Sequence, residues 1–462
     1  MSYLIKNGLI INSNGTKKLD IFIEDGIISK VGAGLTKPDD QTLVINAANK
    51  YIIPGGIDPH VHFHLKTNAG FTSDDFFSGS KAAIAGGTTT ILDFVTPKRG
   101  QSLPDALQER LKDAETCICD YSFHVSPILY HENLESEMTY CIQKYGIQSF
   151  KVYMAYKETI GIDEPALEKI LELAKKLNVL ATIHAEDGDA IHDLQIRYLS
   201  QGHTEPIYHA LSRPPETENH AVERAISLAN KTGASIYFVH VSSGESIYSI
   251  AKAQAEGCPV YAETCPQYLV LDIEKLKGAF HQTAPYVFSP ALREASHSQI
   301  LWDQLSSGAI QTIGTDHCSF HLKSQKELGM NDFTKIPNGA GGVEHRLSLL
   351  FTYGVLQNKI SLEQWVAITA SQPARIFGLS RKGSIAEGYD ADIVLWNPNH
   401  ESTILAADHW QNCDTNIYEG MKVKGSAEKV WIRGNLVFDQ GHHWPIRGEF
   451  LKRIPTNPDS KN

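Results

Sequence analysis

The chain has 462 residues, of which 42% are hydrophobic and 21% charged, a composition typical of a folded globular protein. This length suits one large core with a small accessory domain and leaves little room for long disordered tracts. The formal net charge of -11 argues against nucleic acid and anionic membranes as partners, because like charges repel, and it favours a small neutral substrate.

The first residues, MSYLIKNGLIINSNG, lack the continuous apolar run of a signal peptide, because Lys6, Asn7 and Gly8 interrupt it. No other stretch approaches the length of a membrane span. The seven cysteines include no C-x-x-C pair, which argues against a structural zinc ribbon, and their odd number argues against a disulfide framework. We therefore expect a cytoplasmic protein, and we assign no role to the C-x-C pair of Cys117 and Cys119.

Strand-like runs separated by glycine turns occupy both ends of the chain. Residues 1–51 contain LIKNGLIIN, LDIFIEDGIISKVG and LVINA, and residues 381–445 contain ADIVLWNP and AEKVWIRGNLVFDQG. Neither segment is long enough to fold alone, so we expect the two to combine into one small β-sandwich. Residues 446–462 are predicted to form a C-terminal tail, whose last residues, RIPTNPDSKN, are typical of a loose end or an oligomer contact.

Residues 52–380 alternate short β-rich runs with helical patterns. The eight runs are YIIPGGI, TTTILDFV, YSFHVSPI, QSFKVYMAY, VLATIHA, SIYFVHVSS, PVYAETC and IQTIGTDH, and helical spacing occurs at 73–85, 103–116, 163–177, 216–232, 246–257 and 293–307. Strands separated by helices pair in parallel, and eight of them close into a (β/α)8 barrel with its active site at the carboxyl ends of the strands. An open doubly wound sheet is the alternative.

Side chains that can bind metal recur where these strands end and are rare where they begin. They are His60 and His62 (DPHVHF), Lys151 and Tyr156 (FKVYMAY), His184 (IHAEDG), His240 (FVHVSS) and Asp316 (GTDHCSF). His60 and His62 are two residues apart, so on extended backbone both imidazoles point to the same side and can bind one ion. The pattern predicts a metal site at the carboxyl end of the barrel.

Lys151 lies within an apolar run, where an unpaired ammonium group is costly to bury. Carboxylation by carbon dioxide would turn it into an anionic carbamate with two oxygens, able to bridge two metal ions. Two alternatives remain open, a lysine that extends to the pocket rim and a lysine that forms a Schiff base. The metal-binding side chains around Lys151 favour the carbamate.

The sequence resembles the dihydropyrimidinase and hydantoinase family of the amidohydrolase superfamily nearly from end to end. The resemblance is carried by PGGIDPHVHF, GGTTTILDF, SFKVYMAYK, IHAEDGD, YHALSRPPE, ETCPQYLVLD, GTDHCSF, QKELGMNDFTKIPNG and EGMKVKG. It implies a homotetramer with two divalent metal ions, zinc, in each chain. It also implies metal-dependent hydrolysis of the ring amide of dihydropyrimidines or 5-substituted hydantoins to N-carbamoyl amino acids.

The resemblance gives each site residue a role. Water activated by the ions would attack the ring carbonyl, Tyr156 would contact the substrate and stabilise the oxyanion, and Asp316 would be both ligand and base. Ser289 and Asn338 would bind the ring edge through their backbone, although both also fit ordinary turns. The implied ligands of one metal are His60, His62, Lys151 as N6-carboxylysine and Asp316, and those of the other are Lys151, His184 and His240.

Two other functions are considered. An allantoinase or dihydroorotase would share the barrel and the metals but usually differs around the carboxylated lysine and ETCPQYL. A non-catalytic scaffold of the same fold would have lost metal ligands, whereas all six positions are intact here.

Ring preference is predicted to depend on the mouth segments 63–72, 94–99 and 153–160, because loops after barrel strands carry specificity. Phe63, Leu65 and Phe71 are the candidate gate residues. The loop FHLKTNAGFTSDD and Asp187 depart from the usual family pattern, so the accepted ring substituent stays open.

Overall fold

In the computed structural model, which describes residues 2–455, eight parallel strands follow one another in chain order within a single sheet. They are Gly56–Val61 (β1), Thr88–Val95 (β2), Asp120–Val125 (β3), Ser149–Tyr153 (β4), Leu180–His184 (β5), Ile236–Phe238 (β6), Val260–Thr264 (β7) and Thr312–Ile313 (β8). A parallel bridge between Val61 and His317 joins the segment after β8 to the end of β1. The predicted (β/α)8 barrel is therefore confirmed, and the doubly wound alternative is wrong.

Helices connect the successive strands. The predicted spans agree with the observed ones to within a few residues, because local signals set the helix ends: the Asp75 and Asp163 side chains cap helix starts, and Gly146 and Gly308 end helices in left-handed backbone. The α-helices are Phe76–Ala85, Leu103–Asp113, Leu134–Tyr145, Glu164–Leu177, Gly188–Ser200, Ile207–Leu211, Pro215–Thr232, Gly244–Ala255, Pro266–Val270, Phe280–Thr283, Ala295–Ser307, Arg346–Leu350, Leu362–Val366 and Gln372–Phe377. Short 3-10 helices are Ala114–Thr116, Ile273–Leu276, Ala284–Tyr286, Lys326–Gly329 and Phe333–Lys335, and π-helical turns are Phe351–Val355 and Ala367–Ser371.

The two ends of the chain form a β-sandwich beside the barrel. One sheet contains, in spatial order, Ile27–Gly32, Asp20–Glu24, Tyr3–Lys6 and Leu43–Asn46. The other contains His442–His443, Asn435–Asp439, Lys422–Ile432, Ile393–Thr403, Tyr51–Pro54, Leu9–Asn12 and Gly15–Lys18, so it joins strands from both ends. Ile5, Ile23, Ile393 and Trp431 are buried in one core that both ends of the chain share.

The first predicted barrel run, YIIPGGI, is divided between the two units. Ile52 pairs antiparallel with Leu395 in the sandwich, and the barrel strand begins only at Gly56. At Gly55, a Cβ atom would lie 2.1 Å from the Thr89 hydroxyl oxygen, so only glycine fits at this crossing point.

The described part of the predicted tail lies against the amino end of the barrel, opposite the predicted site. The Tyr121 amide donates to the Glu449 carbonyl at 3.0 Å, and the Leu451 amide donates to the Tyr121 carbonyl at 2.7 Å. The buried Arg453 guanidinium donates to the Ser149 hydroxyl at 2.8 Å. Residues 456–462, the rest of the tail, lie outside the described residues.

Two short strands, Lys66–Thr67 and Gly70–Phe71, form a hairpin at the barrel mouth. Across residues 2–455, no helix combines the length and hydropathy needed to cross a membrane.

Candidate active site

All six predicted metal ligands lie at the carboxyl end of the barrel. They are His60 on β1, His62 just after it, Lys151 on β4, His184 at the end of β5, His240 after β6 and Asp316 after β8. The backbone of three site residues, Tyr156 (φ 60°), His240 (φ 41°) and Asp316 (φ 52°), is left-handed. Left-handed backbone costs a residue other than glycine about 1–3 kcal/mol, and such strain is typical of functional sites.

His60, His62 and Asp316 form the tightest cluster. One Asp316 carboxylate oxygen lies 3.1 Å from each Nε2 atom of the two histidines, and these nitrogens are 3.2 Å apart. Two ligand atoms at about 2.0–2.1 Å from one ion with tetrahedral geometry lie roughly 3.3 Å apart. The spacing of these three donors therefore fits a shared metal ion.

His184 and His240 lie beside this cluster. Their ring centroids are 4.6 Å apart, and the His240 ring is 5.3 Å from the His60 ring. Donor atoms of His60, His240 and Asp316 all lie within 4.8 Å of one another. The buried His240 Nδ1 has no hydrogen-bond partner within the described chain. A buried polar atom without a partner needs a ligand to satisfy it, and a metal ion would supply one.

The charged side chains of the cluster shift the pKa values of His60 and Asp316 in the direction opposite to burial. Burial lowers the pKa of His60, but the Asp316 and Glu263 carboxylates outweigh it and raise the pKa to about 9. Burial raises the pKa of Asp316, but His60 and His62 hold that pKa well below its usual range. Asp316 is therefore an ionised carboxylate, the form that binds a cation.

Lys151 is only 1% exposed, so it does not extend to a pocket rim. Its amine lies 4.9 Å from the centre of the Tyr153 ring and 5.1 Å from that of Phe94. Burial lowers the pKa of Lys151 to about 7, although Asp316 and Glu263 oppose that fall. A considerable fraction of the amine is then neutral and nucleophilic near neutral pH.

Tyr156, Ser289 and Asn338 lie together next to His184. The Tyr156 and His184 ring centroids are 5.3 Å apart. Burial raises the pKa of Tyr156, while the side chains of Ser289 and Asn338 face its hydroxyl and oppose that rise. The fold thus brings the three predicted substrate contacts to the rim of the predicted metal ligands.

Comparison with known proteins agrees with this geometry. The model of the amidohydrolase family matches residues 51–437. The chain belongs to the amidohydrolase family. It is 43% identical to the D-hydantoinase of Geobacillus stearothermophilus (98% of this chain, 97% of the relative) and 40% identical to the dihydropyrimidinase of Arabidopsis thaliana (98% and 83%). The crystal structure of dihydropyrimidinase from Brevibacillus agri has a TM-score of 0.97 and 42% identity, with 99% of this chain and 100% of that chain covered. The predicted resemblance to dihydropyrimidinases and hydantoinases is confirmed.

This amidohydrolase also has site residues that sequence reasoning missed. Glu263 on β7 lies 2.7 Å from His60 Nδ1, and Glu186 lies 2.8 Å from His184 Nε2. Each carboxylate orients an imidazole and leaves its other ring nitrogen available to an ion. Both residues stand in motifs that carried the resemblance, ETCPQYLVLD and IHAEDGD, which was the only signal in the sequence.

His317, next to Asp316, is held by structural contacts in this amidohydrolase. Its Nε2 lies 3.0 Å from the buried Asp74 carboxylate, and its Nδ1 accepts from the Gly342 amide at 3.1 Å. Both ring nitrogens are therefore occupied, and the ring anchors the chain that carries Asp316.

The prediction that Phe63 is a gate residue at the barrel mouth is wrong. Phe63 is fully buried, with its ring 6.0 Å from the Phe76 ring. Phe71, in contrast, is 46% exposed and stacks on the His64 ring at 4.1 Å. In this amidohydrolase Phe71 and the partly exposed Leu65 stay candidate gate residues, and Phe63 is part of the core.

Proposed function

We propose that this protein hydrolyses the ring amide of dihydropyrimidines or 5-substituted hydantoins to N-carbamoyl amino acids. The observation that carries the proposal is the group of donors from His60, His240 and Asp316, within 4.8 Å of one another at the carboxyl end of an amidohydrolase barrel. Relatives that cover nearly the whole chain are named D-hydantoinase and dihydropyrimidinase.

The donor set suits two divalent cations, which we assign as zinc. Imidazole nitrogens and carboxylate oxygens are the ligands that zinc prefers in catalytic sites. Such ions lower the pKa of water towards neutrality and polarise a carbonyl group. We assign His60, His62, Lys151 and Asp316 to one ion, and Lys151, His184 and His240 to the other.

Lys151 can serve both ions only as a carbamate. Its neutral amine would attack the carbon of carbon dioxide, an N–C bond would form, and one amine proton would leave to water. The product is an anion with two oxygens. The low exposure of Lys151 and its lowered pKa support this modification, because the neutral amine is the reactive form.

Asp316, Tyr156, Ser289 and Asn338 perform the remaining steps. Ionised Asp316 accepts a proton from the attacking water and gives it to the departing ring nitrogen, since an unprotonated amide nitrogen leaves poorly. The Tyr156 hydroxyl donates to the oxyanion of the tetrahedral intermediate. The backbone at Ser289 and Asn338 orients the ring edge next to Tyr156.

The test is a substrate panel with controlled metal content. Protein stripped by a chelator should be inactive on dihydrouracil, hydantoin, 5-substituted hydantoins and allantoin, and zinc should restore ring opening on the first three groups. Preference for allantoin would replace this proposal with an allantoinase. His240→Ala should lose bound metal and activity, while the exposed control His281→Ala should keep both. Full activity in metal-free protein would contradict the proposal.

The wider organisation is part of the same proposal. We assign residues 52–380 to the catalytic barrel, 1–51 and 381–445 to the sandwich and 446–462 to a tail, except that the strand Tyr51–Pro54 pairs within the sandwich. We also propose a cytoplasmic homotetramer without nucleic-acid or membrane partners, in keeping with the net charge of -11. Analytical ultracentrifugation would test the tetramer.

A further inference from the structure

A second buried lysine lies outside the metal cluster. Lys326 begins a 3-10 helix, Lys326–Gly329, in the long connection after β8. It is 2% exposed, and within residues 2–455 no carboxylate lies at ion-pair distance from its amine. A buried lysine without a carboxylate partner is costly and needs other acceptors.

Three backbone carbonyl oxygens provide them. The Lys326 amine donates to the carbonyls of Val287 at 2.7 Å, Pro337 at 2.8 Å and Gly339 at 2.7 Å. Burial lowers the pKa of Lys326 to about 7, but only the ammonium form has three N–H donors for three acceptors. The contacts therefore favour the charged form.

These carbonyls belong to the two segments that carry Ser289 and Asn338. The segments also touch directly, because the Gly339 amide donates to the Val287 carbonyl at 3.1 Å. The Lys326 amine thus links residues 287–289 to residues 337–339, because it donates hydrogen bonds to carbonyls of both segments. The Lys326 side chain contacts neither Ser289 nor Asn338 directly. Lys326 can therefore affect these two residues only through the backbone.

The segment that carries Asn338 also contacts the residues that follow Asp316. The Cys318 amide donates to the Ala340 carbonyl at 2.9 Å. A Cβ atom on Gly339, whose φ is 146°, would lie 2.4 Å from the Cys318 carbonyl oxygen. This close approach requires glycine, and it holds the Asn338 segment against the strand end that bears Asp316.

We propose that Lys326 is a positioning residue for the substrate ring, an inference that rests on the function proposed above. It sets the spacing of the backbone groups at Ser289 and Asn338 that bind the ring edge. It also strengthens one of them: the Pro337 carbonyl and the Asn338 N–H share a peptide unit. An ammonium at that carbonyl polarises the unit and makes the N–H a better donor.

A purely structural role would have a different signature. A buried residue that only supports the fold would lower thermal stability and the amount of active enzyme, with the Michaelis constant unchanged. A positioning residue acts on ring binding, so its loss raises KM more than it lowers kcat. Loss of a positioning residue should also make the backbone around Ser289 and Asn338 more mobile.

The experiment compares Lys326→Met with Lys335→Met. Lys335 is an exposed lysine of the same connection, paired with Asp332 at 3.3 Å, and is the matched control. We expect Lys326→Met to retain its metal content and to raise KM about tenfold or more, as for the loss of one to two hydrogen bonds, with a smaller fall in kcat. Lys335→Met should match the wild type.

Hydrogen–deuterium exchange tests the positioning without relying on activity. Peptides that cover residues 287–290 and 337–340 should exchange faster in Lys326→Met than in the wild type, since the Gly339 amide loses its support. If Lys326→Met does not fold, Lys326→Gln, which keeps two N–H donors, should show a smaller change of the same sign. Unchanged exchange at both segments, or an unchanged KM in an active variant, would overturn the inference. A wild type inactive on every ring would refute the proposed function, while the exchange result would still decide the role of Lys326.

Discussion

Replacing Glu263 by glutamine should weaken metal binding while leaving the barrel folded. Glu263 is fully buried behind the cluster of predicted metal ligands. One oxygen lies 2.7 Å from His60 Nδ1 and accepts from the His240 amide at 3.1 Å, and the other accepts from the Tyr237 hydroxyl at 2.7 Å. Glutamine keeps the shape and one acceptor oxygen, so the main loss is the negative charge behind His60.

Two effects of this substitution oppose each other. Loss of a charged hydrogen bond to a ligand histidine costs about 1.5–3 kcal/mol. In the other direction, a His60 pKa of about 9 means that at pH 8 a metal must displace a proton at a cost of about 1.4 kcal/mol. Glutamine relieves only part of that cost, because Asp316 raises the same pKa more than Glu263 does. The net prediction is metal binding weaker by roughly five- to thirtyfold.

The assay is a zinc titration of chelator-stripped protein at pH 8 against a chromophoric chelator, with thermal melting in parallel. Glu218→Gln is the matched control, since Glu218 is a buried carboxylate that binds Arg293 and contacts no candidate ligand. The control should melt at a lower temperature with unchanged metal affinity. Wild-type affinity in a folded Glu263→Gln protein would refute the positioning of His60 by Glu263.

Other substitutions test the site directly. Lys151→Ala and Lys151→Arg should each lose at least one metal per chain and essentially all activity, because neither side chain can form a carbamate; metal analysis showing two ions and normal turnover in Lys151→Arg would contradict the bridge. Asp316→Asn should keep most of its metal but lose about a hundredfold or more in kcat, since an amide cannot accept the proton; near-normal turnover in metal-replete protein would remove Asp316 from the base role. Phe71→Ala should change the ratio of rates on bulky and small rings with little change in melting temperature, and equal changes on all rings would exclude it as the gate. Phe63→Ala should instead destabilise the fold by about 3–5 kcal/mol in denaturant unfolding, and a negligible loss would show that its packing is dispensable.

The sequence by itself determined the barrel and the identity of the predicted ligands. Alternating β-rich and helical runs are local patterns, and in parallel barrels the carboxyl ends of the strands meet at one face. His60, Lys151 and Asp316 could therefore be placed together although they are far apart in the chain. The helix ends were also set locally, because capping residues such as Asp75 act on their own first turn.

Only the tertiary structure decided which partner each of these residues meets. Glu263 lies 203 residues from His60 in sequence, and Lys326 binds the Val287 carbonyl 39 residues earlier, so no local period links them. Phe63 follows the predicted ligands His60 and His62 but is buried in the core, whereas Phe71 remains exposed. The run YIIPGGI has one uniform pattern, yet its first half joins the sandwich through contacts with Leu395, which lies more than three hundred residues later. Local spacing encodes the secondary structure, while such pairings depend on long-range packing of the whole chain.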